Sequence, residues 1–208
     1  MNLFIKLSIR FIIIFLIMIS IVLVNFDILR AHPHVFITQC IDIIFDNKGM
    51  TDIKVYWSFD EMFSSMIISD YDKNNNKKLE PDEILNIKNG AFNNLKNFNY
   101  FSFLYINDIK SKVQEVKNFS ARINKNKKLV YEFLVPCKVT AGKNFQKISF
   151  ATYDTTYYTA LIFTKNQPIE LINSDPFEVK TNISEDKSTS IYYNTVHPWT
   201  LFIDFRLK

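Results

Sequence analysis

The sequence predicts an α+β fold, a mostly antiparallel β domain with an EF-hand-like helix-loop-helix inserted after its first hairpin. Three observations predict it. Residues 35–45 and 51–59 are rich in β-branched and aromatic side chains and flank the turn Asp46-Asn47-Lys48-Gly49. Apolar residues then shift to helical spacing over residues 60–95, around a polar stretch of Asp, Asn and Lys. From residue 100 onward, β-type runs alternate with short polar turns.

Ahead of the first strand the pattern is that of an export signal. Lys6 and Arg10 supply positive charge, residues 11–24 are apolar apart from Ser20, and Leu29-Arg30-Ala31 ends on a small residue. The apolar run is shorter than the ~20 residues of a typical membrane-spanning helix, which favours a cleaved leader over a permanent anchor. Residues 1–31 are therefore expected to be a signal peptide, and residues 32–208 a single periplasmic domain that meets the membrane only through that leader. The formal net charge of +4 narrows once Lys6, Arg10, Arg30 and Asp27 are removed. No basic block remains to argue for nucleic acid.

Within the domain, Ile53, Val55, Trp57 and Phe59 alternate along the second strand and should share its buried face. Met62, Phe63, Met66 and Ile67 form the apolar stripe expected of the first helix. Pro81-Asp82-Glu83 opens the second, with proline in the first turn and acids at the positive end of the dipole. Ile84, Ile87 and Leu95 carry it to about residue 94. Strands are expected over 100–106, 112–123, 129–139, 145–152 and 157–163, with two or three more in the tail.

The segment between the helices carries the sharpest motif. Calcium takes six to eight oxygens, and a twelve-residue loop supplies them at alternate positions before a bidentate glutamate closes the shell. Asp72, Asn74 and Asn76 fall on positions one, three and five, Lys78 on seven through its carbonyl, Glu80 on nine and Glu83 on twelve. Leu79 sits on the eighth, core-facing position. The sixth, ordinarily glycine, is Lys77, and a left-handed turn there costs a non-glycine residue on the order of 1 kcal/mol. With three lysines around three carboxylates, calcium affinity is expected in the ~10⁻⁴ to 10⁻³ M range of extracellular modules. The alternative is a solvated turn before a helix start.

The chain has three histidines, two of them in His32-Pro33-His34 at the expected mature end. Residues two apart on an extended chain point the same way. The α-amine, His32 and His34, joined by His197, would form a nitrogen-rich site suited to nickel, cobalt, zinc or copper. The plainer alternative is a hydrated tail. Cys40 and Cys137 can close a disulfide in an oxidising compartment, or remain two buried thiols acting as small apolar residues.

The stretches Ala31-His32-Pro33-His34-Val35-Phe36, Trp57-Ser58-Phe59-Asp60-Glu61, Tyr153-Asp154 and Tyr157-Tyr158 resemble an uncharacterised bacterial periplasmic family. That family is labelled a domain of unknown function, or the periplasmic component of an ABC-type transport system. The resemblance implies a periplasmic partner of a membrane transition-metal transporter and no established activity. The chain lacks the alternating strands and helices of a two-lobed solute-binding protein.

Two functions are expected to compete: a metal-binding accessory to transition-metal transport, and a calcium-stabilised structural or interaction module. An enzyme ranks third. Asp60, Glu61 and Asp154 could act as acids or bases, but acids at strand ends more often cap or turn the chain. No nucleophile elbow, HExxH helix or glycine-rich phosphate loop is present.

Overall fold

A computed structural model describes residues 11–16, 18 and 33–208, and the chain divides into two units at residue 33. In the first unit, residues 11–16 and 18 are helical and exposed. Among the described residues no helix is long and apolar enough to cross a membrane. The remaining residues of the expected leader, and the cleavage site, lie outside the described residues.

The second unit is built from β1 (Val35–Asp46), β2 (Gly49–Phe59), α1 (Glu61–Tyr71), α2 (Pro81–Gly90), a 3₁₀ segment (Phe92–Phe101), β3 (Ser102–Ile106) and β4 (Ile109–Ser111). There follow β5 (Lys117–Ile123), β6 (Leu129–Thr140), β7 (Gln146–Thr152), β8 (Thr159–Phe163), β9 (Ile169–Ile172), β10 (Phe177–Glu185) and β11 (Trp199–Leu207). The strands form two sheets. One runs β5-β6-β2-β1-β8, with β9 also paired to β1, and the other runs β10-β11-β7-β3-β4. Most pairings are antiparallel, but β8 and β9 both join β1 in parallel, which makes the first sheet mixed. Parallel neighbours need a crossover, and here β2 to β7 intervene between β1 and β8.

The first hairpin is as expected, with Ile43 opposite Ile53 and Ile41 opposite Val55. Asp46 Oδ1 accepts from the amides of Lys48 and Gly49 at 2.7 and 3.0 Å, which fixes the turn. Ile53, Val55, Trp57 and Phe59 are all buried, so the predicted face is the core face. Side chains of the second sheet meet it: Phe45 lies edge-on to Phe205 at 5.3 Å. Thr152 Oγ1 donates to Gln39 Oε1 at 2.7 Å in the interior, tying the sheets together through a polar contact.

The helical phase of α1 differs from the expected stripe. Met62 and Met66 are 70% and 51% exposed, whereas Ser64 and Ile67 are buried and Phe63 stacks on Phe59 at 4.7 Å. Three polar ties set this rotation. Asp60 caps the helix, accepting from Phe63 N at 2.9 Å, and its other oxygen accepts from Phe36 N at 2.8 Å on β1. Ser64 Oγ accepts from Leu129 N at 3.0 Å at the start of β6. These bonds hold Phe63, Ser64 and Ile67 inward and leave the methionines outside.

The second helix ends at Gly90, short of the expected limit, and the chain continues as 3₁₀ turns that bury Phe92. The predicted strand over 112–123 is shortened to β5, because residues 112–116 lie outside the sheet between β4 and β5.

Both cysteines are free thiols, so the alternative of a disulfide is set aside. Cys40 is on β1 and Cys137 on β6, with β2 lying between those strands. Two strand spacings make ~9–10 Å, beyond the ~7 Å between Cα atoms that a disulfide can span. Cys137 packs in the core, and burial pushes its thiol up to about 12. Cys40 is half-buried and its thiol is likewise raised, first by burial and then by Asp42.

Candidate functional site

The loop between α1 and α2 is drawn together by its own side chains. Asp72 caps the end of α1 and is buried; Glu83, in the first turn of α2, is buried as well. Burying two carboxylates costs free energy unless both are fully hydrogen-bonded, and both are. Asp72 Oδ1 and Oδ2 accept from the amides of Asn76 (3.2 Å) and Lys77 (2.9 Å). Glu83 Oε1 and Oε2 accept from the amides of Lys73 (2.8 Å) and Glu80 (3.1 Å). The last loop residue thereby clamps the first turn of the loop, and with Glu80 it forms a reciprocal capping box at the helix start.

The other candidate side chains face the same turn. Asn74 Oδ1 accepts from Asn76 N at 3.0 Å, and Asn76 Oδ1 accepts from Lys78 N at 2.8 Å. Glu80 Oε1 accepts from Asn76 Nδ2 at 2.7 Å and Oε2 from Asn74 Nδ2 at 3.4 Å. The Asn76 amide, and next the Glu83 contact, hold the Glu80 carboxyl below its ordinary range. Lys77, on the sixth position, has φ of 63°, and Asn75 also has positive φ at 56°. Leu79 packs against the core as expected. Among the described residues no three His, Cys, Asp or Glu side chains are grouped as they would be around an ion. The loop oxygens are spent instead on the loop's own amides.

The histidines do not gather in the same way. His32 lies outside the described residues. His34, just before β1, is exposed; its amide donates to Tyr158 O at 2.8 Å and its ring lies 4.8 Å from that of Tyr158. His197, just before β11, is half-buried, with Nδ1 2.8 Å from Thr189 O. It lines a cavity of about 340 Å³ with Tyr153, Tyr157, Glu185 and Trp199. Burial, followed by Tyr105 and Asp186, pushes the Tyr153 phenol up to about 12.

Of the three carboxylates considered for acid–base roles, Glu61 is exposed, and Asp60 and Asp154 are engaged with backbone amides. Asp60 bonds two amides, as described above. Asp154 accepts from Thr156 N (2.9 Å), Thr156 Oγ1 (2.7 Å) and Thr159 N (3.1 Å), which shapes the turn into β8.

Comparison with known proteins places the chain. The family described as "Protein of unknown function (DUF1007)" matches residues 16–196, most of its length. The chain belongs to this family. Relatives include an uncharacterised 15.5 kDa protein from the trpE 3′ region of Spirochaeta aurantia, 29% identical over 137 residues, covering 66% of this chain and 96% of the relative. An uncharacterised protein of Haemophilus influenzae is 31% identical over 150 residues, covering 71% of this chain and 69% of its own. In this DUF1007 member, the stretches that carry the family resemblance come close in space: Val35, Trp57, Phe59, Asp154 and Tyr158 line one cavity at the end of the first sheet. Trp57 was legible as a core residue from its alternation. That its indole N–H would lack a partner was not, because partners are set by tertiary packing.

Proposed function

We propose that the protein is a periplasmic cation-binding accessory protein whose 72–83 segment works as a calcium-type, EF-hand-like loop. The observation that carries the proposal is the backbone at Lys77. The motif needs a left-handed turn at its sixth position, normally met by glycine, and Lys77 takes φ of 63° there without that residue's freedom. Asp72, Asn74, Asn76, Glu80 and Glu83 hydrogen-bond within one loop, and calcium would have to draw together from those bonds the hard oxygens that it prefers. A cation among them would replace the Asn74 and Asn76 Nδ2 donors that hydrogen-bond Glu80 and would be clamped by Glu83. Its mechanical effect would be to lock α1 to α2 and so stiffen the insert against the sheet.

One observation favours a second role in transition-metal handling. The contact with Thr189 O orients the His197 ring with Nδ1–H donating, which turns Nε2 into the ligating atom, the usual outer-shell arrangement of metal-bound histidine. Together with His32 and His34 such a site would take nickel, cobalt, zinc or copper and pass it to a membrane transporter.

Thermal unfolding in chelator, then in calcium, nickel, cobalt, copper and zinc, tests both. Calcium is expected to stabilise the fold by ~2.7 kcal/mol at a hundredfold excess over its dissociation constant, with the gain abolished by Glu83→Gln. A transition-metal shift lost with His34→Ala or His197→Ala would favour the second role. No shift with calcium at ~10 mM, well above the expected affinity range, would sink the calcium proposal.

A further inference from the structure

The outer edge of β8 has no strand beside it, because β8 ends its sheet next to β1. Free edges template pairing with another chain, and proteins blunt them with charge or by keeping them short. The other edges follow that rule. β5 carries Lys117 and Arg122, β9 carries Glu170, β10 carries Glu178 and Lys180, and β4 has only three residues. β8, Thr-Ala-Leu-Ile-Phe, has no charged residue.

The parallel register with β1 orients the backbone of β8. Tyr158 O accepts from Val35 N at one end of the strand, and Thr164 N donates to Gln39 O at the other. Backbone groups that face a neighbouring strand recur at every second residue, so those of Ala160 and Ile162 also face β1. Those of Thr159, Leu161 and Phe163 face away from it. The Thr159 amide, turned that way, donates to Asp154 Oδ2 at 3.1 Å. Among the described residues the Leu161 and Phe163 amides have no partner.

A cavity of about 340 Å³ runs along this edge. Thr159, Ala160, Leu161 and Ile162 all line it, although successive side chains of a strand point to opposite faces. The cavity therefore lies beside the strand. Its far wall is the segment 195–199, and each side ends in an exposed apolar residue, Ile162 at 49% and Trp199 at 42%. The lining has one carboxylate, Glu185, and no Lys or Arg.

We propose that the free edge of β8 is the docking site for an extended segment of a partner protein, which adds to the sheet as a further strand. The segment bonds the outward backbone groups of Leu161 and Phe163, sets apolar side chains against Ile162 and Trp199, and brings a lysine or arginine to Glu185. In strand addition the main-chain bonds give affinity and the alternate side chains give selectivity. The site uses none of the loop residues from Asp72 to Glu83 and needs no metal, so it stands or falls apart from the cation proposals.

The probe is the blocked peptide acetyl-Lys-Val-Thr-Val-Thr-Val-Lys-amide, titrated into the full-length protein in chelator while amide hydrogen exchange is read residue by residue by NMR. On binding, the Leu161 and Phe163 amides are expected to slow at least tenfold, while those of Ala160 and Ile162, already bonded to β1, change less than twofold. The same peptide N-methylated at its internal amides is expected not to bind. Glu185→Gln and Ile162→Lys are each expected to weaken the unmethylated peptide several-fold. No binding of that peptide, equal binding of the methylated one, or slowing without the alternation would overturn the proposal. Slowing at Leu161 that grows with protein concentration in the absence of peptide would assign the edge to a second copy of this chain, and would overturn it too. If Ile162→Lys does not fold, the alternation on the native protein and the methylated peptide decide.

Discussion

Replacing Glu83 with alanine is expected to lower stability by about 3 kcal/mol. Its two oxygens accept from Lys73 N and Glu80 N, and hydrogen bonds to a charged group contribute about 1.5–3 kcal/mol each before any relaxation. Water can reach part of the loop and repay some of that loss, because Lys73 is exposed and Glu80 only half-buried. The carboxylate also sits at the positive end of α2, where its charge is favoured. For a chain of this length, a loss of that size corresponds to a fall of roughly 6–12 °C in Tm. Differential scanning calorimetry of the variant in chelator checks this. The pairing of Asp72 with Asn76 and Lys77 would survive in the variant, so the loop should open at its α2 end first.

Replacing Gly49 with alanine is expected to cost about 3–4 kcal/mol, although the residue touches neither the loop nor the cavity. Gly49 has φ of +150°, and a Cβ there would collide with Val139 O and lie 2.7 Å from Ala141 N. Both atoms belong to backbone that the variant can relieve only by parting β2 from β6 at the register shift between Met50 and Asp52. Strain at a backbone site of this kind costs ~1–3 kcal/mol, and the overlap with a neighbouring strand adds to it. Urea unfolding of the variant should show a lowered midpoint with an unchanged slope, the mark of a stability change without a change in the surface exposed. By contrast, a Cβ at Gly142 would meet nothing within 4 Å, so Gly142→Ala is the matched control.

The first hairpin was legible because its signals are local: alternation along 53–59 and an Asp-Asn-Lys-Gly turn whose carboxylate bonds the two amides after it. The helix boundaries around Asp72 and Pro81 were legible for the same reason, since capping is read within four residues. The facing side of α1 was not. Met62 and Met66 fit an apolar stripe as well as Phe63 and Ile67 do, and what turns them outward is a pair of bonds from Phe36 N to Asp60 and from Leu129 N to Ser64, reaching 24 and 65 residues along the chain. The relation of Cys40 to Cys137 was hidden by strand order: nothing local says that β2 lies between β1 and β6, or that β8 and β9 return in parallel to the far edge of β1. The buried Trp57 and Tyr131 donors and the Gln39–Thr152 link between sheets are likewise products of topology. The loop was legible in a narrower sense: spacing marks Asp72, Asn74, Asn76, Glu80 and Glu83, and each of these side chains hydrogen-bonds within the loop.

Terbium luminescence tests the central claim most directly. Tb³⁺ is a hard, oxygen-seeking ion of about the size of calcium, and Tyr71 immediately precedes Asp72 in the chain. The account predicts tyrosine-sensitised terbium emission that calcium displaces at ~10⁻⁴ to 10⁻³ M and that disappears in both Tyr71→Phe and Glu83→Gln. Emission that persists in Glu83→Gln, or no calcium-displaceable emission from the native protein, would contradict it.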